Sequence, residues 1–138
     1  LIIFDLDDTL IDTSGAIVPL KMRLCLQKLQ ELGLAVSDFE SDYKNLLDLS
    51  SSSLRSEEAL SHFIERKGGD PHLVHQLKTS LTAPLPDDFS VPTTPNAKEI
   101  LETIASKHTL ALVTGGFPPL QKQKLKKAGI EPSLFSNI

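Results

Sequence analysis

An apolar run, Leu1-Ile2-Ile3-Phe4, leads directly into three carboxylates, Asp5, Asp7 and Asp8. The run has no polar face, the pattern of a strand buried on both sides in the middle of a parallel sheet. Carboxylates this close repel one another, and a fold keeps them together where a cation, a proton or a phosphate chemistry needs them. In open parallel sheets, ligands bind beyond the carboxyl ends of the strands. A strand that ends at Asp5 therefore predicts a site there.

After this strand the periodicity becomes helical. From Pro19, Met22, Cys25, Leu26, Leu29 and Leu32 share one stripe, with Gly33 at the expected stop. Ser37-Asp38-Phe39-Glu40 reads as a capping box with Ser37 at the N-cap. Phe39, Tyr43, Leu46 and Leu47 supply the apolar face behind it, and the serines at 50–53 read as a loop. A third helix is predicted from Ser56 to Lys67, ended by Gly68-Gly69. A fourth follows the Asp70-Pro71 start signal with Leu73, Val74, Leu77 and Leu81. The stretch Ala83–Pro95 holds four of the nine prolines and no helical period, so it is a connector. Pro95 then opens a helix with Ala97, Ile100, Leu101 and Ile104 inward. Thr109–Val113 is a second buried strand and ends at Thr114-Gly115-Gly116. A helix covers Pro119–Ala128 with Gly129 as its stop, and Leu134–Ile138 approaches a third strand.

The two ends of the chain thus alternate strand and helix, which predicts an α/β fold with a parallel sheet. The central helices carry no strand signal and interrupt that layer. The expected organisation is a sheet core of residues 1–13 and 94–138, with an inserted all-helical domain over 14–93. A net charge of −4 gives no basic field for nucleic acid. No apolar run approaches the roughly 18 residues that span a bilayer, so no membrane partner is expected. The single cysteine, Cys25, lies on an apolar stripe and reads as a small core residue, which suits a reducing, cytoplasmic location.

Two carboxylates two residues apart can face the same side of an extended chain. One can attack phosphorus while the other handles the proton of the leaving group. Mg²⁺ would offset the crowded negative charge. If the first two strands are parallel neighbours, the Thr114 hydroxyl and the Gly115 N–H meet the carboxylates and can hold a phosphate.

Phe4-Asp5-Leu6-Asp7-Asp8-Thr9-Leu10 resembles the first signature, DxDxT, of the haloacid dehalogenase (HAD) superfamily. Leu112-Val113-Thr114-Gly115-Gly116 resembles the second, an apolar strand ending in Thr or Ser. The resemblance implies a HAD-like, Rossmann-like core with a C1-type helical cap that selects substrate. It implies Asp5 as the nucleophile that forms an aspartyl-phosphate, and Asp7 as the acid and then the base. It also implies Mg²⁺ on the Asp5 carboxylate and the Asp7 carbonyl, with Thr114 and Gly115 on the phosphoryl group and Thr9 supporting the loop. An Asp at position 7 favours phosphate transfer over dehalogenation within the superfamily, so the implied activity is phosphatase action on a small phosphorylated metabolite. The stretch Thr114–Ile138 is similar to nucleotidase-like and sugar-phosphatase-like members. A phosphomutase, a phosphonate-cleaving relative and a non-catalytic binding module of the same fold are the competing readings.

The sequence also departs from the family. The third signature, a Lys, and the fourth, an acidic pair, normally follow the strand that begins near Phe135, and the chain stops at Ile138. Lys122, Lys124, Lys126 and Lys127 precede that strand and read as a solvated helix face. The sheet core is therefore expected to be incomplete, its first strand left as a bare edge or covered by a partner. Self-association would use that edge or the cap. The 138-residue chain alone is expected to be nearly inactive. Asp8 is expected to be structural, and Asp12 at least as much a cap as a site residue.

Overall fold

Three strands, β1 (Ile2–Phe4), β2 (Leu110–Leu112) and β3 (Phe135–Asn137), form a parallel sheet in the order β1-β2-β3. The computed structural model describes residues 1–138. Its helices are α1 (Val18–Glu31), α2 (Phe39–Ser52), α3 (Ser56–Arg66), α4 (Lys78–Thr82), α5 (Ala97–Ala105) and α6 (Pro118–Ala128). The chain divides into two units, Leu1–Ile17 with Pro84–Ile138, and Val18–Ala83.

The sheet unit is built on β2. Its three residues are all buried, as a central strand requires. Phe4 pairs with Leu112, and the Val113 N–H donates to the Phe4 carbonyl at 2.8 Å, so the two strands end side by side. Leu101 from α5, Leu125 and Ala128 from α6, and Ile130 and Phe135 beyond it are all buried. Gly129 closes α6 in the left-handed region at φ 65°, where glycine carries no Cβ penalty. β1 is an edge strand, the bare edge expected of an incomplete sheet core, and Ile3 is 61% exposed on it. Its all-apolar composition suits burial, but no strand pairs with its outer side. Helix α5 starts at Ala97 rather than Pro95, because Asn96 sits at φ 60°, and Ile100 faces outward at 47% exposure.

The helical unit has its own core. Met22, Cys25, Leu26 and Leu29 of α1 pack with Leu46 and Leu49 of α2, Leu60, Phe63 and Ile64 of α3, and Leu77. The cap of α2 lies one residue later than expected. Asp38, not Ser37, is the N-cap, and its carboxylate accepts from the Ser41 N–H at 3.1 Å. The helix also runs on through Ser52 rather than breaking at Ser50. The hydroxyls of Ser51, Ser52 and Ser53 donate to the carbonyls of Asp48 and Leu49, so the serines close the last turn instead of leaving it. After Asp70 and Pro71 the chain forms a 3₁₀ segment, Pro71–Leu77, before α4. Leu60→Ala should cost about 2–5 kcal/mol of unfolding free energy, since the side chain is fully buried and its neighbours come from three segments. Urea unfolding followed by circular dichroism measures it.

The unit boundaries differ from 13/14 and 93/94. The connector belongs with the sheet because its backbone is tied there. The Leu85 N–H donates to Gln123 at 2.7 Å, the Val91 N–H to the Lys127 carbonyl at 3.3 Å, and the Asp12 N–H to the Pro92 carbonyl at 2.9 Å.

Candidate active site

The loop after β1 is wound on one carbonyl. The N–H groups of Thr9, Leu10 and Ile11 all point at the Leu6 carbonyl, at 3.3, 2.9 and 3.2 Å. Leu6, Leu10 and Ile11 are buried beneath it, which leaves the acidic residues between them at the surface or half-buried. Asp8 adopts φ 57°, a conformation Asp tolerates better than most residues. Its carboxylate accepts from the Ser14 N–H at 2.7 Å and from the Ser14 hydroxyl at 2.6 Å. Asp12 accepts from the Gly15 N–H at 2.7 Å. Both carboxylates therefore hold the turn that leads to α1. Thr9 contributes through its backbone: its carbonyl accepts from the Thr94 hydroxyl at 2.7 Å, which ties the loop to the connector.

Asp5 is different. It is exposed at the end of β1, and no protein group hydrogen-bonds its carboxylate. The pairing of Phe4 with Leu112 sets it beside the chain that leaves β2 through Val113 to Thr114 and Gly115. Gly116 lies at φ 119°, a conformation that side chains rarely adopt, and this turn leads the chain into α6.

Asp7 is the hub of the site. Its Oδ1 accepts from the Thr13 hydroxyl at 2.5 Å and from Lys124 Nζ at 2.7 Å. Its Oδ2 accepts from Gln121 Nε2 at 2.8 Å. The same amide nitrogen lies 2.6 Å from the Thr114 hydroxyl oxygen and 2.8 Å from the Gly115 carbonyl. Burial pushes the Asp7 carboxyl up. The hydrogen bonds from Lys124, Thr13 and Gln121, with the Lys124 charge, outweigh this and hold it below its ordinary value of 3.8.

The structure thus gathers Asp5, Asp7, Thr114 and Gly115 at the joint ends of β1 and β2. It also corrects the reading of the α6 lysines. Lys124 is only 6% exposed and paired with Asp7, while Lys122 and Lys126 face solvent. Gln121, 5% exposed, was not expected at all. The signal was present: Gln121, Lys124, Leu125 and Ala128 are spaced i, i+3, i+4, i+7, and the last two mark the buried face. On the helical unit, Lys21 is buried and bonds the Ala83 carbonyl, and Arg23 pairs with Glu40 at 2.9 Å. Cys25 is fully buried in the helical core, and burial pushes its thiol up to about 12.

The family of haloacid dehalogenase-like hydrolases matches residues 1–138. The chain belongs to this family. Its sheet unit is the α/β core of the HAD fold, incomplete at three strands. Among solved structures it is similar to YfnB from Bacillus subtilis, assigned to the HAD-hydrolases and solved bound to magnesium. The identity is 20% and the TM-score 0.60, over 99% of this chain and 61% of that one. It is also similar to the L-2-haloacid dehalogenase of Xanthobacter autotrophicus with chloropropionic acid covalently bound, at 15% identity and TM-score 0.47, over 99% and 54% of the chains. A third likeness is the 2-haloacid dehalogenase of Pseudomonas syringae pv. tomato DC3000, at 25% identity and TM-score 0.46, over 99% and 61%. The chain therefore spans little more than half to three-fifths of these relatives. No curated protein sequence matches it. No helix is long and apolar enough to cross a membrane.

For a magnesium ion, the residues of this HAD chain fit in kind. The Asp5 carboxylate is free of internal bonds, and hard oxygen donors suit Mg²⁺. They fall short in number, because no three His, Cys, Asp or Glu side chains converge.

The Asp7 environment predicts a pH response. A carboxyl held down in the folded state contributes stability above its unfolded value, and that stability is lost as pH falls through the folded value. The stability difference between wild type and Asp7→Asn should therefore hold constant at neutral pH and shrink only in acid, below 3.8. Carbon-detected NMR titration should place the Asp7 carboxyl below 3.8, and Lys124→Met should raise it. A wild-type value at or above 3.8 would contradict the geometry.

Proposed function

We propose that this chain carries the nucleophile half of a Mg²⁺-dependent phosphatase that hydrolyses a small phosphorylated metabolite through an aspartyl-phosphate. The observation that carries the reading is the contrast between two carboxylates two residues apart. Asp5 is exposed and unpartnered, while Asp7 is fixed by three donors. A nucleophile must be free to attack, and an acid–base group must be held in place.

In this reading an Asp5 carboxylate oxygen bonds to phosphorus as the bond from phosphorus to the leaving oxygen breaks. Asp7 gives that oxygen its proton. A water then attacks phosphorus and loses its proton to Asp7, the Asp5–phosphorus bond breaks, and phosphate and free Asp5 return. The Thr114 hydroxyl and the Gly115 N–H hold the phosphoryl oxygens. Mg²⁺, when bound, would neutralise phosphate oxygens, and the Asp5 carboxylate and Asp7 backbone carbonyl are the oxygens this chain offers it. The helical unit Val18–Ala83 is read as the cap that selects substrate.

The test is phosphate release from an aryl phosphate, with Mg²⁺ or with chelator, beside chloride release from 2-chloropropionate. Release by this chain is expected to be slow, Mg²⁺-dependent and confined to phosphate. Chloride release without phosphate release would replace this reading with dehalogenation, and an isomerised sugar phosphate in place of free phosphate would replace it with mutase action.

A further inference from the structure

We infer that Gln121 and Lys124 are positioning residues, which fix Asp7 and the Thr114–Gly115 turn against each other from one face of α6. The inference rests on the phosphatase reading for its consequence, but the clamp itself stands on geometry. The parallel pairing of β1 and β2 is registered as far as Phe4 and Leu112, with one further backbone bond from Val113 to Phe4. Beyond it, the Gln121 amide joins the two loops. Its two N–H protons face three oxygens: Asp7 Oδ2 at 2.8 Å, Thr114 Oγ1 at 2.6 Å and the Gly115 carbonyl at 2.8 Å. Lys124, one turn along, holds the other Asp7 oxygen at 2.7 Å.

Both side chains are almost fully buried. Burying a Lys costs free energy that only a paired carboxylate offsets, and burying an amide requires its donors to be met. The arrangement therefore holds only while Asp7 and Thr114 keep their places, and it holds them there in turn. Neither residue belongs to the DxDxT or the Thr-Gly signature. The donors of Gln121 are occupied by Asp7 and the Thr114–Gly115 turn, and Lys124 is buried on Asp7. Their loss should therefore reach turnover, not substrate affinity.

Two measurements decide this. The first is steady-state hydrolysis of an aryl phosphate by Gln121→Met and Lys124→Met, with the solvent-facing Lys122→Met as control and thermal unfolding as the check on folding. A displaced group near the reacting atoms costs on the order of 10²-fold. That loss is expected in kcat for both variants, with KM within about threefold of wild type. Lys124→Arg, which keeps the charge and the reach, should restore most of it. Unchanged kcat in the folded variants, or a loss carried by KM, would overturn the inference.

The second measurement needs no turnover. In ¹⁵N-edited NMR the Gln121 side-chain amide protons should exchange with solvent far more slowly than those of exposed Gln27 and Gln30. They should also shift in Asp7→Asn and in Thr114→Val. Exchange as fast as at Gln27, or indifference to both substitutions, would overturn the clamp. If wild type releases no more phosphate than Asp5→Asn, the phosphatase reading fails by itself, and the amide measurement still decides the positioning role.

Discussion

Asp5→Asn should abolish phosphate release, and Asp7→Asn should reduce it by about 10²–10⁴-fold, the usual contribution of a positioned acid–base group. The two losses differ because the two carboxylates differ in setting. An amide at position 5 keeps the shape of the side chain but has no nucleophilic oxygen anion, so no covalent step remains. An amide at position 7 keeps part of the clamp, since its oxygen can still accept from Gln121 or Lys124. It cannot carry a proton between water and the leaving group. Near-wild-type release in Asp7→Asn would indicate that Asp7 acts only to hold the loop. Unchanged release in Asp5→Asn would move the nucleophile elsewhere.

The largest stability effect is expected in the helical unit. Lys67, just after α3, places Nζ 2.5 Å from Asp42 Oδ1 on α2, where the Asp42 side chain is 6% exposed and that of Lys67 25%. The second oxygen, Oδ2, is buried with no hydrogen-bond partner. The carboxylate thus has a single strong contact to offset its desolvation. Lys67→Met removes the charge, which also lies 5.9 Å from the Phe63 ring centroid, and keeps most of the aliphatic stem. It should cost about 3–5 kcal/mol of unfolding free energy, as breaking one side of a buried pair does. Asp42→Leu combined with Lys67→Met should recover most of that, because two apolar groups leave no charge without a partner. Urea unfolding of the two variants measures the difference. A loss below about 1 kcal/mol in Lys67→Met would class the pair with exposed ones.

The sequence made the strand ends legible because their signals are local. An apolar run that stops at Asp5, and another that stops at Thr114-Gly115, need only a parallel pairing to meet, and the strand–helix alternation supplied it. Asp8 was legible as structural, while Asp12 was left between cap and site residue; each accepts from a backbone N–H further along the chain. Lys124 was not, because a Lys in a run of lysines is normally solvated, and only a partner from another part of the chain makes its burial affordable. That partner, Asp7, lies far away in sequence, so charge alone pointed outward while the spacing to Leu125 and Ala128 pointed inward. The edge position of β1 was legible from the absent third and fourth signatures and not from its composition, which reports what a strand can bury, not which neighbours it has. The slip from Ser37 to Asp38 at the start of α2 has a smaller cause: both residues cap well, and the choice is set by which one reaches the N–H three residues later.

The most direct test of the central claim is to trap the phosphorylated chain. The Asp7→Asn variant would be mixed with an aryl phosphate and Mg²⁺, quenched in acid and digested for mass spectrometry. A phosphoryl group should appear on the peptide that begins at Leu1, localised to Asp5, and should be absent when Asp5→Asn is added. Phosphate release by the wild-type chain with no phosphoryl group on Asp5, or with one on another residue, would contradict the account.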